Sequence, residues 1–344
     1  MGLKVVVIGG GIAGTFTAYF LARLGADVTL VTRSVRYPVP SLVLTLSMPN
    51  VEDIMLAKES LSIYSSLGAR LREVTSIDIL PEDADLSPLR EANVKYEVVK
   101  QSSLVHLNYG EMIVKTTDYL IPVNDILRRV QAHLKVIRGD GVVKRVDGGV
   151  AIYANGKALK PDALVLAAGP SNSELASSIG VELPLRQYSC YASLLIAPWS
   201  LSRLSVGDYI LDWYSRPLWG PIIAAGDGCG PPYSKPPKGY SRRIASLVSM
   251  RFGWAIPLYS RSGMCEVSPS GGPVYGRVAD GIYVIGGFDG YGSMIGPALA
   301  RRLATLIIEG GEVEDNGYRV EKYLGMQPSG ECPEERHSWR SALI

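Results

Sequence analysis

Three glycines near the start of the chain have the spacing of a phosphate-binding turn: Gly9-x-Gly11-x-x-Gly14, with Ala18 four residues further on. Each has its own task in such a turn. Gly9 permits the tight bend, Gly11 lets backbone approach a pyrophosphate, and Gly14 with Ala18 lets the next helix pack close to a strand. The N–H groups at the start of that helix, around Ile12 and Ala13, then face the phosphates. The flanks fit. Residues 3–8 are an apolar, β-branched run, residues 12–24 carry helical periodicity closed by Gly25, and residues 27–32 are a second apolar strand. This βαβ unit predicts a bound dinucleotide. Such a unit usually ends its second strand in an acid that holds the adenosine ribose, but here Thr32 stands there, followed by Arg33. Thr32 can make one neutral hydrogen bond and Arg33 can meet a ribose or a phosphate. These residues alone leave flavin and NADP both open.

A second glycine-rich stretch lies near the other end: Gly286-Gly287-Phe288-Asp289-Gly290-Tyr291-Gly292-Ser293-Met294-Ile295-Gly296-Pro297. Gly290 and Gly292 open a helix, and a helix N-terminus carries about half a positive charge, which favours an anion in front of it. The stretch follows Ser268-Pro269-Ser270-Gly271-Gly272-Pro273-Val274-Tyr275-Gly276, and a third segment reads Leu166-Ala167-Ala168-Gly169-Pro170-Ser171-Asn172-Ser173-Glu174-Leu175-Ala176. Together these segments resemble the D-amino-acid-oxidase-like flavoprotein superfamily, which includes glycine oxidase, sarcosine oxidase and the dye-linked proline dehydrogenases. That family's patterns are T-P-D-G-x-P-x-x-G, then G-x-x-G-x-G at a helix start, and A-A-G-x-x-S-x-x-L-A in the middle.

The resemblance covers most of the chain and implies non-covalent FAD. Its binding residues would be Gly9, Gly11, Ile12, Ala13, Gly14, Thr32, Arg33, Val143, Ala168, Gly169, Gly287, Gly290, Tyr291, Gly292, Ser293 and Met294, with the backbone of Val143 meeting the adenine. Tyr291 and Met294 would lie beside the flavin as catalytic residues. Tyr214, Arg216, Tyr259 and Cys265 would form the substrate wall, Arg216 being the carboxylate partner because guanidinium pairs bidentately with carboxylates. The chain also departs from the family. Cys265 stands where some members place a carboxylate-binding arginine, Gly263 where others attach flavin to a cysteine, Tyr291 where a histidine can occur, and 40–45 is bulkier than the usual small-residue loop. The implied reaction is oxidation of the C–N bond of an amino acid or secondary amine by hydride transfer to flavin N5. A dehydrogenase passing electrons to an acceptor protein or quinone is expected over an oxidase. The alternative is a flavin-carrying subunit of a larger dehydrogenase complex, and a homo- or hetero-oligomer is compatible with either.

The elements that must position these residues alternate α and β. Helices are expected over 51–67, 123–134, 172–179 and 297–309, and strands over 74–80, 96–99, 150–153, 164–167 and 282–287. From 183 to 262 the texture changes to short aromatic segments broken by proline and glycine, which predicts an antiparallel sheet with an exposed loop over 226–239. The expected fold is α/β: a discontinuous Rossmann-type FAD-binding domain (1–72, 122–182, 264–326), an interleaved, mostly antiparallel substrate domain (73–121, 183–263) and a polar tail over 327–344.

Composition narrows the rest. Hydrophobic residues make up 47% and charged residues 20%, which is globular, and 35 basic residues nearly balance 33 acidic ones without a like-charge block, which argues against nucleic acid. Glycines interrupt the apolar N-terminus, and no run approaches the roughly 18 apolar residues of a membrane span, so a soluble cytoplasmic protein is expected. Cys190, Cys229, Cys265 and Cys332 form no C-x-x-C pair, which predicts buried thiols and neither zinc nor disulfides. His106, His133 and His337 lie far apart, so no metal site is expected.

Overall fold

The computed structural model describes residues 2–33, 37–146, 149–310 and 317–327. The expected tail lies outside these residues apart from Gln327, as does Cys332. The chain opens as its sequence predicts, with β1 (Lys4–Ile8), α1 (Ile12–Arg23) and β2 (Asp27–Thr32). Then come β3 (Leu42–Leu44), α2 (Val51–Ser66), β4 (Arg72–Pro81), α3 (Ser87–Glu91), β5 (Glu97–Val99), β6 (Glu111–Ile121), α4 (Val123–Gln131) and β7 (Lys135–Arg138). A three-stranded meander, β8 (Val142–Val146), β9 (Gly149–Ala154) and β10 (Lys157–Leu159), leads to β11 (Ala163–Leu166) and α5 (Asn172–Ser177). The second half holds β12 (Arg186–Ile196), β13 (Leu204–Asp208), β14 (Trp213–Trp219), β15 (Ile222–Gly230), α6 (Tyr240–Phe252) and β16 (Ile256–Val267). It closes with β17 (Val274–Ala279), β18 (Ile282–Gly286) and α7 (Gly292–Glu309).

The first sheet has the order β17-β18-β11-β1-β2-β7, parallel except for β17. Its central strands read as unbroken apolar runs because both faces are covered. One face packs on α1 and α7 through Phe16, Leu21, Ile295, Leu299 and Leu303, all fully buried. The other packs on the meander and α5 through Ile8, Leu166, Ile152 and Ala176. The C-terminal ends of β1, β2, β11 and β18 therefore open on the same edge, where open α/β sheets bind ligands.

The second sheet runs β16-β12-β15-β14-β13-β4-β6-β3. Side chains alternate between its faces. On one face Ile77, Val206, Trp213, Ile223, Ala225, Tyr191 and Leu195 pack under α6 through Tyr240, Ile244, Val248 and Phe252. Arg251 pins this helix: its Nε meets Asp208 Oδ2 at 2.7 Å and a guanidinium nitrogen meets Glu111 Oε2 at 2.5 Å, all three groups buried. Burial alone would raise the Glu111 carboxyl, but hydrogen bonds from Arg251 and Asn108 hold it down at about 2.

Three expectations need correction. The 183–262 stretch is not sheet alone, since it contains α6, whose spacing of Tyr240, Ile244, Ala245, Val248 and Phe252 is helical but follows a proline-rich segment that breaks the pattern. The loop expected over 226–239 begins only after Gly230, because Gly226–Gly230 continues β15. Gly228 is small for packing reasons: a Cβ there would lie 2.8 Å from the Tyr240 ring. The cysteines are not all free thiols, for Cys190 on β12 and Cys265 on β16 form a disulfide with Cα atoms 6.1 Å apart.

Candidate functional site

The glycine turn after β1 has the form its sequence implies. Gly9 has φ +118°, and a Cβ there would collide with the Ala167 carbonyl, while a Cβ on Gly14 would collide with the Gly9 carbonyl. Gly11 is different. A Cβ on it would meet only the Tyr37 hydroxyl, at 3.4 Å, so its outer side faces a cradle and not the protein core. Gly11 is also the N-cap of α1 and has no side chain with which to cap it, so the positive end of the helix faces this cradle. The Tyr37 hydroxyl takes a hydrogen bond from the Ile12 N–H, the position a phosphate oxygen would occupy, and burial raises its pKa. Asn124 holds the Tyr37 backbone at both N–H (2.9 Å) and C=O (3.0 Å). From below, Gln131 donates to Gly10 O at 3.0 Å and to Thr15 Oγ1 at 2.9 Å, fixing the turn.

At the end of β2 the Thr32 side chain is buried beneath Gly10 and donates to the Arg33 carbonyl. Arg33 points outward and pairs with Asp140, Nε to Oδ1 at 2.9 Å. Val143 is buried on β8, and its carbonyl accepts from Ser178 Oγ at 3.2 Å.

The second glycine-rich turn joins β18 to α7. Gly290 takes φ +87°, and Tyr291 is the N-cap of the 18-residue helix, its side chain making no capping hydrogen bond. Ser293 donates to Val43 O at 2.8 Å, and Tyr291 and Met294 are partly buried against the first core. Two buried residues lock this turn to the segment after β11. Glu266 Oε2 accepts from Gly287 N at 3.0 Å and from Asn172 Nδ2 at 3.2 Å, while Asn172 Oδ1 accepts from Ala168 N at 2.7 Å. Burial pushes the Glu266 carboxyl up to about 8. Ala168, Gly169, Gly287 and Gly290 are thus brought to one edge by a carboxylate and an amide at the base of the site.

Tyr214, Arg216, Tyr259 and Cys265 share the face of the second sheet that α6 leaves open. Arg216 pairs in register with Ala224, Ala224 with Leu194, and Leu194 with Tyr259, so a cross-strand row runs from the arginine to the tyrosine. Tyr214 and Tyr259 are 50% and 45% exposed, which leaves this wall accessible. Arg216 donates to Ser41 O, two residues from the Val43 carbonyl that Ser293 holds, so segment 41–43 connects the row to the start of α7. Burial lowers the Arg216 pKa. At the other end of the sheet, β16 runs into the glycine-rich turn through Asp289 N to Glu266 O at 3.2 Å and a bridge between Val267 and Phe288. Cys265 lies on this wall as half of a disulfide.

A family model described as FAD dependent oxidoreductase matches residues 4–37 and 123–306. The chain belongs to this family. It is therefore an FAD-dependent enzyme, and the glycine cradles fit that cofactor: the open side of Gly11 suits a pyrophosphate and the uncapped start of α7 an electron-accepting ring. No curated protein matches the chain in sequence. Among solved structures, L-proline dehydrogenase from P. horikoshii superposes with a TM-score of 0.80 at 17% identity, covering 95% of this chain and 99% of that one. Iminodiacetate oxidase from Chelativorans sp. BNC1 gives 0.74 at 16%, covering 95% and 100%, and glycine oxidase from Geobacillus kaustophilus 0.75 at 16%, covering 92% and 98%. These likenesses are of fold.

Tyr37, Gln131, Asn172 and Glu266 escaped the sequence reading. Asn172 and Glu266 stand in segments already singled out, so a carboxylate one residue after Cys265 was the available signal. Tyr37 and Gln131 carry none. Among the described residues no helix is long and apolar enough to cross a membrane, and no group of His, Cys, Asp and Glu could hold a metal.

Proposed function

We propose that this chain is an amino-acid or secondary-amine dehydrogenase that oxidises a substrate C–N bond at the face between the second sheet and the start of α7. The observation carrying this reading is the row Arg216–Ala224–Leu194–Tyr259, a guanidinium and an aromatic ring joined by two apolar side chains. It would grip a carboxylate at one end and enclose an apolar amine body along its length. FAD, when bound, supplies the acceptor for the hydride leaving the substrate carbon. The protein's part is to orient the substrate. Arg216 is positioned by Ser41, the uncapped end of α7 favours negative charge developing before it, and Tyr291 and Met294 border the reacting centre. An amine bound in neutral form needs no protein base, which agrees with a wall lined by arginine, tyrosine and apolar groups.

The experiment is anaerobic titration of the purified yellow protein with proline, sarcosine and glycine, following the visible flavin bands. Bleaching by one of them is expected, with Arg216→Leu raising the half-saturating concentration at least tenfold. No bleaching by any amino acid or amine, or an Arg216→Leu protein that saturates like wild type, would defeat the reading. A second reading, a flavin-carrying subunit inside a larger assembly, is favoured by one observation. Trp254, Ile256 and Leu258 are 47%, 52% and 44% exposed beside and along the sheet-edge strand β16. Bleaching by the isolated chain separates the two.

A further inference from the structure

The adenosine ribose has no acid waiting for it at the end of β2, yet a carboxylate stands beside that end. We infer that Asp140, oriented by Arg33, supplies the ribose-binding acid from the loop after β7 in place of the second strand. The inference rests on the FAD assignment above. Thr32 cannot take the part, because its side chain is buried under Gly10 and its hydroxyl is spent on the Arg33 carbonyl. The loop 139–141 is fastened to the same edge: Gly139 N donates to Thr32 O at 2.9 Å, extending the β2–β7 pairing by one residue. Gly141 then lies directly on the strand ends, where a Cβ would stand 3.2 Å from Val31 Cγ1 and 3.4 Å from Ile8 Cδ1. Asp140, between these two glycines, is thus held over the C-terminal ends of β1 and β2, the edge on which such sheets bind nucleotides. It also lies three residues before Val143, the position the family resemblance gives to adenine.

Charge decides what Asp140 can recognise. Arg33 Nε binds Oδ1 at 2.9 Å, and both side chains are more than two-thirds exposed, so Oδ2 is open to a ligand hydroxyl. A carboxylate has about four lone-pair sites and loses only one to the arginine. The pair is neutral overall and offers an acceptor outward, which suits a ribose diol. Of the described arginines at this edge, Arg33 is thus occupied and Arg138, opposite Thr32 on β7, donates to Gln131 Oε1 at 3.1 Å, so the site favours an unphosphorylated adenosine over an NADP-type ligand. Arg33 is a positioning residue in this arrangement.

The test uses the full chain stripped of flavin and titrated with FAD, and with FAD lacking the adenosine 2′-hydroxyl, following quenching of flavin fluorescence. Wild type should bind FAD about tenfold more tightly than the deoxy analogue, the worth of one charge-assisted hydrogen bond. Asp140→Asn should bind FAD about tenfold more weakly than wild type and lose the discrimination, and Arg33→Ala should lose part of it. Both residues are exposed, and circular dichroism matching wild type checks that the variants fold. An Asp140→Asn protein that binds FAD like wild type, or that still discriminates against the deoxy analogue, overturns the assignment of Asp140 alone. A wild-type chain that takes up no FAD overturns this inference and the FAD assignment together.

Discussion

Glu266 shows how a single residue can tie the site to the stability of the protein. Its carboxyl is 4% exposed and takes hydrogen bonds from Gly287 and Asn172 through Oε2, while Oε1 has no partner among the described residues. Burial raises its pKa from 4.5 to about 8. The folded protein therefore keeps a proton that the unfolded chain releases, so this contribution is complete below about pH 4.5 and is lost as pH rises to about 8. Glu266→Gln keeps the shape and removes the titration. The fall in Tm between pH 5 and pH 9 should be smaller in this variant than in wild type, by a few degrees for a chain of this size. Burial also raises Asp78 and Asp118, but these are common to both proteins and cancel in the comparison. Parallel Tm–pH curves for variant and wild type would show that Glu266 does not carry a folded-state proton. At this scale the sequence was legible where the chemistry is local. Gly9, Gly11 and Gly14 act within one turn, so spacing reveals them. Glu266 acts on Gly287 and Asn172, 21 and 94 residues away, and Gln131 on Gly10 across 121, so neither has a local signature.

Among the elements, α1, α2, β4 and α7 could be read from their apolar pattern, and β1 and β2 from unbroken apolar runs, because those strands are buried on both faces. The element that misled was α6. Its apolar spacing is helical, but the glycines of β15 before it look like a loop, and they are small because Tyr240 and Tyr191 pack on them. The cysteines misled for a related reason: their spacing of 75 residues says nothing until β12 and β16 are known to be neighbours. Strand pairing places Cys190 opposite Gly263, two residues from Cys265, and Cys229 opposite Cys190 on the other side. The disulfide closes a loop that includes β13, β14, β15 and α6, so it constrains much of the second sheet in the unfolded chain. Chain-entropy reasoning gives it roughly 4 kcal/mol for a loop of this length. Peptide mapping without reductant should recover Cys190 and Cys265 in one linked fragment, and Cys190→Ser should lower Tm by at least several degrees. Unlinked peptides, together with a Cys190→Ser protein as stable as wild type, would remove the disulfide from the account.

For the whole molecule the question is where the electrons go. Oxygen is a poor acceptor for a two-electron donor unless a positive charge stabilises superoxide as the first electron transfers, and in a water-excluded site one well-placed charge alters a rate by about a hundredfold or more. The open face of the second sheet does not supply a lysine for this. Segment 219–223 between β14 and β15 is the Trp219–Gly220–Pro221 hairpin turn followed by apolar isoleucines, with Trp219 54% exposed. Lys235, on the proline-rich loop, lines a cavity of about 500 Å³ with Tyr240, Ser260, Arg261 and Ser262, next along β16 from Tyr259 at the far end of the row that begins at Arg216. Arg216 is the cation on that row, and in the proposed complex a substrate carboxylate neutralises it. The architecture instead leaves the wall open, with Tyr214 and Tyr259 about half exposed, so a dye, quinone or protein acceptor can approach. Protein reduced anaerobically with its substrate should recover its yellow colour slowly when air is admitted and quickly when an artificial dye or quinone is added, with rates at least tenfold apart. The comparison needs no knowledge of the physiological acceptor. Reoxidation by air as fast as by dye would make the enzyme an oxidase, with Arg261, which lies over the Tyr259 ring at 5.2 Å, as the cation on this face left to serve superoxide.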